Sequence, residues 1–172
     1  VRHGMSYGSP SIKQALGELK AEGCDELVVL SLYPQNALST TGVVADKTLA
    51  ALSALDWHPQ TKLVGYYSAH LLYLEAIAAS IRAAGFDSSA GDKLLFAFHS
   101  IPVRDIRNGD DYEDKARATA NAVARLLELD VQDWALGFQC RFDKARSWLG
   151  PFIPEALQTL GAPRGRLFVV AP

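Results

Sequence analysis

Apolar and polar positions along this chain fall into two alternating rhythms. Short apolar runs bounded by turn formers read as strands, and longer stretches with apolar residues at three- and four-residue spacing read as helices. Residues 1–7 are a weak strand candidate, followed by a turn at Gly8-Ser9-Pro10-Ser11 with Ser11 placed to cap a helix. That helix carries Ile12, Ala15, Leu16 and Leu19 on one side and ends at Gly23. A buried strand over 26–33 stops at Pro34, and a polar loop over 35–42 offers Ser39, Thr40 and Thr41 as caps for a helix through Leu49, Leu52 and Leu55. Residues 61–67 read as a strand, and 71–84 as a helix with Leu74, Ile77, Ala78 and Ile81 on one face. The most continuous apolar run is 93–98. After it, 103–111 reads as an exposed charged loop, 112–129 as a helix on Ala116, Ala120, Val123 and Leu127, and 133–139 as a strand. A loop with Arg141, Lys144 and Arg146 leads to a helix at 154–160 and a last strand at 166–170.

Strands alternating with helices imply an α/β fold of parallel βαβ units. The turn-forming Trp57-His58-Pro59-Gln60 marks a domain junction, giving residues 1–60 and 61–172 as two parts. In a parallel sheet the loops after the strands open on one edge, where ligands bind. The segments after Tyr33, Phe98 and Phe138 are therefore expected to line a shared cleft. They supply Gln35, Ser39, Thr40 and Thr41; His99 and Ser100; and Gln139, Cys140 and Arg141, with Tyr7 behind the first weak strand. His99 is the leading candidate, because Pro102 prevents its strand from continuing and leaves an imidazole at the tip. A strand-tip histidine serves either as a structural hydrogen-bonding group or as a ligand or acid/base.

Composition narrows the choices. Hydrophobic residues make up 49% of the 172, enough for a substantial core, and the net charge of −2 with intermixed signs gives no support for a nucleic-acid surface. No apolar run reaches the roughly 18 residues of a membrane span. Cys24 and Cys140 fit neither a disulfide framework nor a CxxC metal site, which suggests a reducing, cytoplasmic compartment. No GxGxxG, P-loop, HExxH or GxSxG signature is present. The chain begins at Val1 without a methionine and stops just after a strand, so it is expected to be cut at both ends.

Four motifs in order point further: Gly4-Met5-Ser6-Tyr7-Gly8-Ser9-Pro10; Leu32-Tyr33-Pro34-Gln35 with Ser39-Thr40-Thr41; His99-Ser100-Ile101-Pro102 with Asn108-Gly109-Asp110-Asp111-Tyr112; and Phe138-Gln139-Cys140-Arg141-Phe142 with Trp148-Leu149-Gly150-Pro151. Together they resemble ferrochelatase along the whole chain. The resemblance implies parts of two Rossmann-like, chelatase-type domains facing a porphyrin cleft, and insertion of ferrous iron into a porphyrin with no organic cofactor. It implies that His99 is the active-site histidine, a metal ligand and a base for pyrrole protons. Tyr7, Tyr33, Ser39, Thr40, Ser100, Gln139 and Arg141 are the implied substrate contacts. The expected partners are porphyrin and ferrous iron, with no nucleic acid and at most peripheral membrane contact. The family's glutamate partner lies in a helix after the last strand, beyond Pro172, so the 172 residues alone are expected to be inactive.

Some positions depart from the family pattern. Cys140 stands where serine is usual, Ser6 stands where many members carry arginine, and the stretch from Arg141 to Trp148 is one residue longer. An iron–sulfur cluster, held by some members in a C-terminal extension, is left undecided, as is the oligomeric state. Two other readings remain open at this point: a chelatase inserting cobalt into a sirohydrochlorin-like ring, and a non-catalytic tetrapyrrole-binding module.

Overall fold

Helix α1 (Ile12–Ala21) starts where Ser11 closes a reciprocal cap: its hydroxyl accepts the Gln14 N–H at 3.2 Å, and its own N–H donates to Gln14 Oε1 at 2.7 Å. The computed structural model describes residues 1–172 and divides into two compact units, Val1–Tyr66 and Tyr67–Pro172.

In the first unit α1 is followed by β1 (Glu26–Leu30), a wide helical turn at Leu38–Gly42, α2 (Val43–Ala54) and β2 (Gln60–Val64). The two strands run parallel with Leu27 opposite Thr61 and Val29 opposite Leu63. The two-residue period of β1 turns Leu27 toward Leu16, Ala51 and Leu52, with Val29, Ile12, Leu19, Leu55 and Trp57 packed around them. Val28 and Leu30, on the opposite face, are 65% and 53% exposed.

Several expectations are corrected here. Residues 1–7 form no strand: the Met5 N–H donates to Pro10 O at 2.8 Å, so the segment is committed to its own turn through a single Met5–Ser11 bridge. The path is tight, since a Cβ on Gly4 would lie 2.8 Å from Ile12 Cα. β1 stops at Leu30 instead of continuing to residue 33, because its partner β2 ends opposite it at Val64. The compact units divide between Tyr66 and Tyr67, with β2 tied to β1 along its length.

The second unit holds α3 (Leu71–Ala83), β3 (Lys93–His99), α4 (Val103–Arg107), α5 (Tyr112–Leu126), β4 (Trp134–Gln139), α6 (Ile153–Leu160) and β5 (Leu167–Val170). Its sheet is wholly parallel in the order β4-β3-β5, which places β3 at the centre. Leu94, Leu95, Phe96, Ala97 and Phe98 are all buried, as expected of a strand covered on both faces. α3 packs against α5, whose buried Ala116, Ala120, Val123 and Ala124 form a narrow stripe that lets helices approach closely. α6 lies on β4 and β3. The region read as a charged loop contains α4: the Asn108, Gly109 and Asp110 N–H groups donate back to residues 104–106, and Gly109 (φ +97°) ends the turn.

At the opening edge of β3, Asp92 joins the sheet to the approach of β5. It accepts the Arg166 N–H at 2.7 Å, the Arg166 guanidinium at 2.8 Å and the Asp87 N–H at 3.1 Å. The Arg166 side-chain bond, reinforced by its backbone N–H, holds the Asp92 carboxyl down to about 2.

Candidate active site at the tip of the central strand

His99 is the last residue of β3 and lies in register with Gln139, the last residue of β4. Its ring is exposed while the strand behind it is buried. His99 Nδ1 is 2.7 Å from Ser100 O, and a carbonyl oxygen can only accept. Nδ1 therefore carries the hydrogen in this contact, and in the neutral ring the lone pair is left on Nε2, ready for a proton or a metal.

The backbone at the tip is held from several directions. The buried Tyr112 hydroxyl donates to His99 O at 2.9 Å, and burial pushes its pKa up to about 12 against the lowering effect of that bond. The Ser100 N–H donates to Gln139 O at 2.9 Å, and the Ser100 hydroxyl donates to Leu149 O at 2.8 Å. Ser100 is 1% exposed. Its side chain thus joins the strand tip to the 147–149 segment, which also pairs through Val103 N–H to Ser147 O and Leu149 N–H to Ile101 O, both 2.9 Å.

Beyond the tip, the His99 ring meets Phe142 with centroids 5.3 Å apart, and Phe142 meets Trp148 at 5.4 Å. Phe142 and Trp148 line a cavity of about 630 Å³ whose other lining includes Arg141, Lys144, Arg146 and Phe152, and His99 reaches it through its contact with Phe142. Arg141 lies 3.6 Å over the Phe152 ring and 3.8 Å from Glu155 Oε1, while Arg146 pairs with Asp143 at 3.1 Å. Cys140, exposed and unpaired, turns the chain out of β4 at φ +68°, a left-handed conformation that favours glycine. An apolar, aromatic face with converging cations and a basic nitrogen at its edge suits a flat anionic ring compound.

Of the residues singled out from sequence, His99, Ser100, Gln139 and Arg141 gather at the β3 and β4 tips of the second unit. Tyr7, Tyr33, Ser39 and Thr40 belong to the first. There Tyr7 is 77% exposed with Lys47 Nζ 3.8 Å over its ring, and Tyr33 is half exposed after β1. Ser39 is exposed; the Thr40 hydroxyl accepts the Ala37 N–H at 3.1 Å and donates to Ala37 O at 3.3 Å, which closes the turn. The roles of Phe142, Trp148 and Tyr112 were not recognised from sequence. Their only signal was membership of the quoted motifs, since ring contacts over 6 to 43 residues follow no period. No three His, Cys, Asp or Glu side chains form a group that could hold a metal ion.

Fold and site together define a parallel α/β protein that presents an imidazole lone pair beside an aromatic, cation-rimmed cavity. The family described as ferrochelatase matches residues 1–172, and the chain belongs to that family. It is 39% identical over 158 residues to the ferrochelatase of Nitrosococcus oceani, covering 92% of this chain and 43% of that protein. It is also 39% identical over 169 residues to the ferrochelatase of Aromatoleum aromaticum, covering 98% and 46%. With the ferrochelatase of Methylobacillus flagellatus the identity is 36% over 173 residues, covering 100% and 50%. The chain spans about half the length of the curated relatives it matches.

Proposed function

We propose that this chain carries part of the active site of an enzyme that inserts ferrous iron into a porphyrin, with iron and porphyrin as substrates and no organic cofactor. The observation that carries the reading is the His99 contact: with Nδ1–H committed to Ser100 O, Nε2 is the group presented at the ligand-binding edge of the sheet. Insertion removes two pyrrole protons while metal–nitrogen bonds form. A neutral imidazole can accept such a proton at working pH, and the same nitrogen can meet a ferrous ion. The Phe142 and Trp148 rings, inclined at 52° to each other, offer the macrocycle aromatic contact beside the His99 ring. Arg141 and Gln139 contact the substrate at the same tips. Ser100 serves by holding the tip in place.

A reducing, cytoplasmic setting fits the two free cysteines and the ferrous state of the metal. No helix is long and apolar enough to cross a membrane, and membrane contact in this reading is at most peripheral. In the full-length protein, His99→Ala is expected to lower iron insertion by about 100-fold or more, with porphyrin affinity measured by fluorescence titration nearly unchanged. Turnover equal to the parent would refute the role of His99.

A further inference from the structure

The carbonyl of His99 lies where the sheet no longer supplies a partner. Successive residues of a strand turn their backbone groups to opposite sides, and since the Ser100 N–H reaches Gln139 O on β4, His99 O faces the β5 side. There β5 pairs with β3 only as far as Phe96, opposite Val170. The missing ladder bond is made by α5 instead: the Tyr112 hydroxyl donates to His99 O at 2.9 Å. Tyr112 is buried, its ring lies 6.5 Å from that of Phe138, and its own N–H donates to Asp110 Oδ1 at 3.0 Å. The phenol therefore reaches that carbonyl from a packed position, and a buried hydroxyl keeps its acceptor because the alternative is to go unpaired.

The bond bears on the imidazole through two peptide units. The unit joining His99 to Ser100 is held at both ends, its oxygen by Tyr112 and its N–H by Gln139 O. In the next unit the Ser100 carbonyl accepts the His99 Nδ1 hydrogen, with 2.7 Å between the heavy atoms, while the Ser100 hydroxyl donates to Leu149 O at 2.8 Å. The tautomer thus depends on where the Ser100 carbonyl points, and two buried hydroxyls hold the backbone that aims it. The Phe142 ring, 5.3 Å from the imidazole, restricts its rotation but supplies no acceptor lone pair to either ring nitrogen, so it cannot select a tautomer. We propose that Tyr112 and Ser100 are positioning residues that lock His99 in its Nδ1–H tautomer and so keep the Nε2 lone pair for the proton or the metal. The consequence for turnover rests on the iron-insertion reading above; the tautomer rests on this geometry alone.

The test uses the full-length protein with histidine labelled at the ring nitrogens. Long-range nitrogen–proton NMR spectra at about pH 8, where histidine is ordinarily neutral, report the tautomer, and His99→Ala identifies the His99 signal by its loss. Tyr112→Phe, which keeps the packed ring and loses the hydroxyl, is expected to move His99 from one tautomer to a mixture of both. It is also expected to lower kcat for ferrous insertion into protoporphyrin IX by about ten- to 100-fold, with KM for the porphyrin unchanged. Ser100→Ala acts in the same direction and stands in if Tyr112→Phe does not fold. Asp92→Asn, just before the start of β3, loses stability without touching the tip and is expected to leave tautomer and kcat as in the parent. An unchanged tautomer in Tyr112→Phe, or in Ser100→Ala where only that variant folds, overturns the proposal. So does a kcat loss in Asp92→Asn as large as theirs, which would make the effect one of stability. A tautomer shift in a protein whose parent inserts no iron upholds the positioning and refutes the iron-insertion reading alone.

Discussion

Gly137 lies where α6 packs closely on the sheet, and replacing it with alanine probes the packing that supports the site. A Cβ on Gly137 would meet Ala156 Cβ at 2.9 Å, and Ile153 Cα and Cδ1 at 3.1 Å. One of these is backbone and one is the stub of a side chain, so rotamer changes give no relief. α6 must retreat from β4 by about half an ångström to restore ordinary contact. Overpacking of this kind costs about 1–3 kcal/mol. For a domain of this size a loss of ~2 kcal/mol lowers the melting temperature by roughly 4–8 °C. The displacement reaches the site, because α6 carries Glu155, which accepts the Phe152 N–H at 2.8 Å and faces Arg141. Calorimetry of Gly137→Ala reads the loss, and Ala156→Gly in the same protein is the internal control. That second change removes the closest contact but itself costs about 1 kcal/mol of helix propensity. The double variant should therefore be more stable than the sum of the two single losses, with a coupling of about 0.5–3 kcal/mol. A melting temperature unchanged in Gly137→Ala, or strict additivity in the double variant, would refute the close-packing argument.

Two further expectations concern pH. The Asp92 carboxyl is depressed in the folded state, so its contribution is fully present above its ordinary unfolded value near 4. It is lost as pH falls from about 4 toward 2. Asp92→Asn should be less stable at neutral pH and show a flatter stability profile across that acid window, read by urea unfolding at several pH values; an unchanged slope would count against it. Tyr112 is raised to about 12, so its contribution is present below about pH 10 and lost as pH rises from there through 12. Ultraviolet titration should show Tyr112 ionising last, later than Tyr67, which burial also raises, and Tyr112→Phe should remove that last step; a Tyr112 phenol that titrates with the ordinary tyrosines would contradict its burial.

The candidate site was legible in the sequence to different depths. The run from Leu94 to Phe98 followed by His99 and Pro102 announced a buried strand with an imidazole at its tip, because burial on both faces and the missing proline N–H are local properties. α4 was not legible, since residues 103–107 are mostly polar and only the backbone bonds closing on Gly109 reveal the turn. The inward turn of Ser100 was equally hidden, because its acceptor, Leu149 O, lies 49 residues away.

By itself the sequence determined the alternation of elements, the Ser11 cap of α1, the order of the four motifs and so the family, whereas the hydroxyls expected to cap α2 do not, since its N-cap is Gly42. These depend on the spacing and chemistry of neighbouring residues. Only the tertiary structure decided that β2 belongs with β1, that His99 stands opposite Gln139, and that the Ser100 carbonyl accepts the Nδ1 hydrogen and so leaves the lone pair on Nε2. It also placed Phe142 and Trp148 beside that ring. Strand register and side-chain convergence are set by contacts between segments distant in the chain, and such contacts leave no period for a sequence to display.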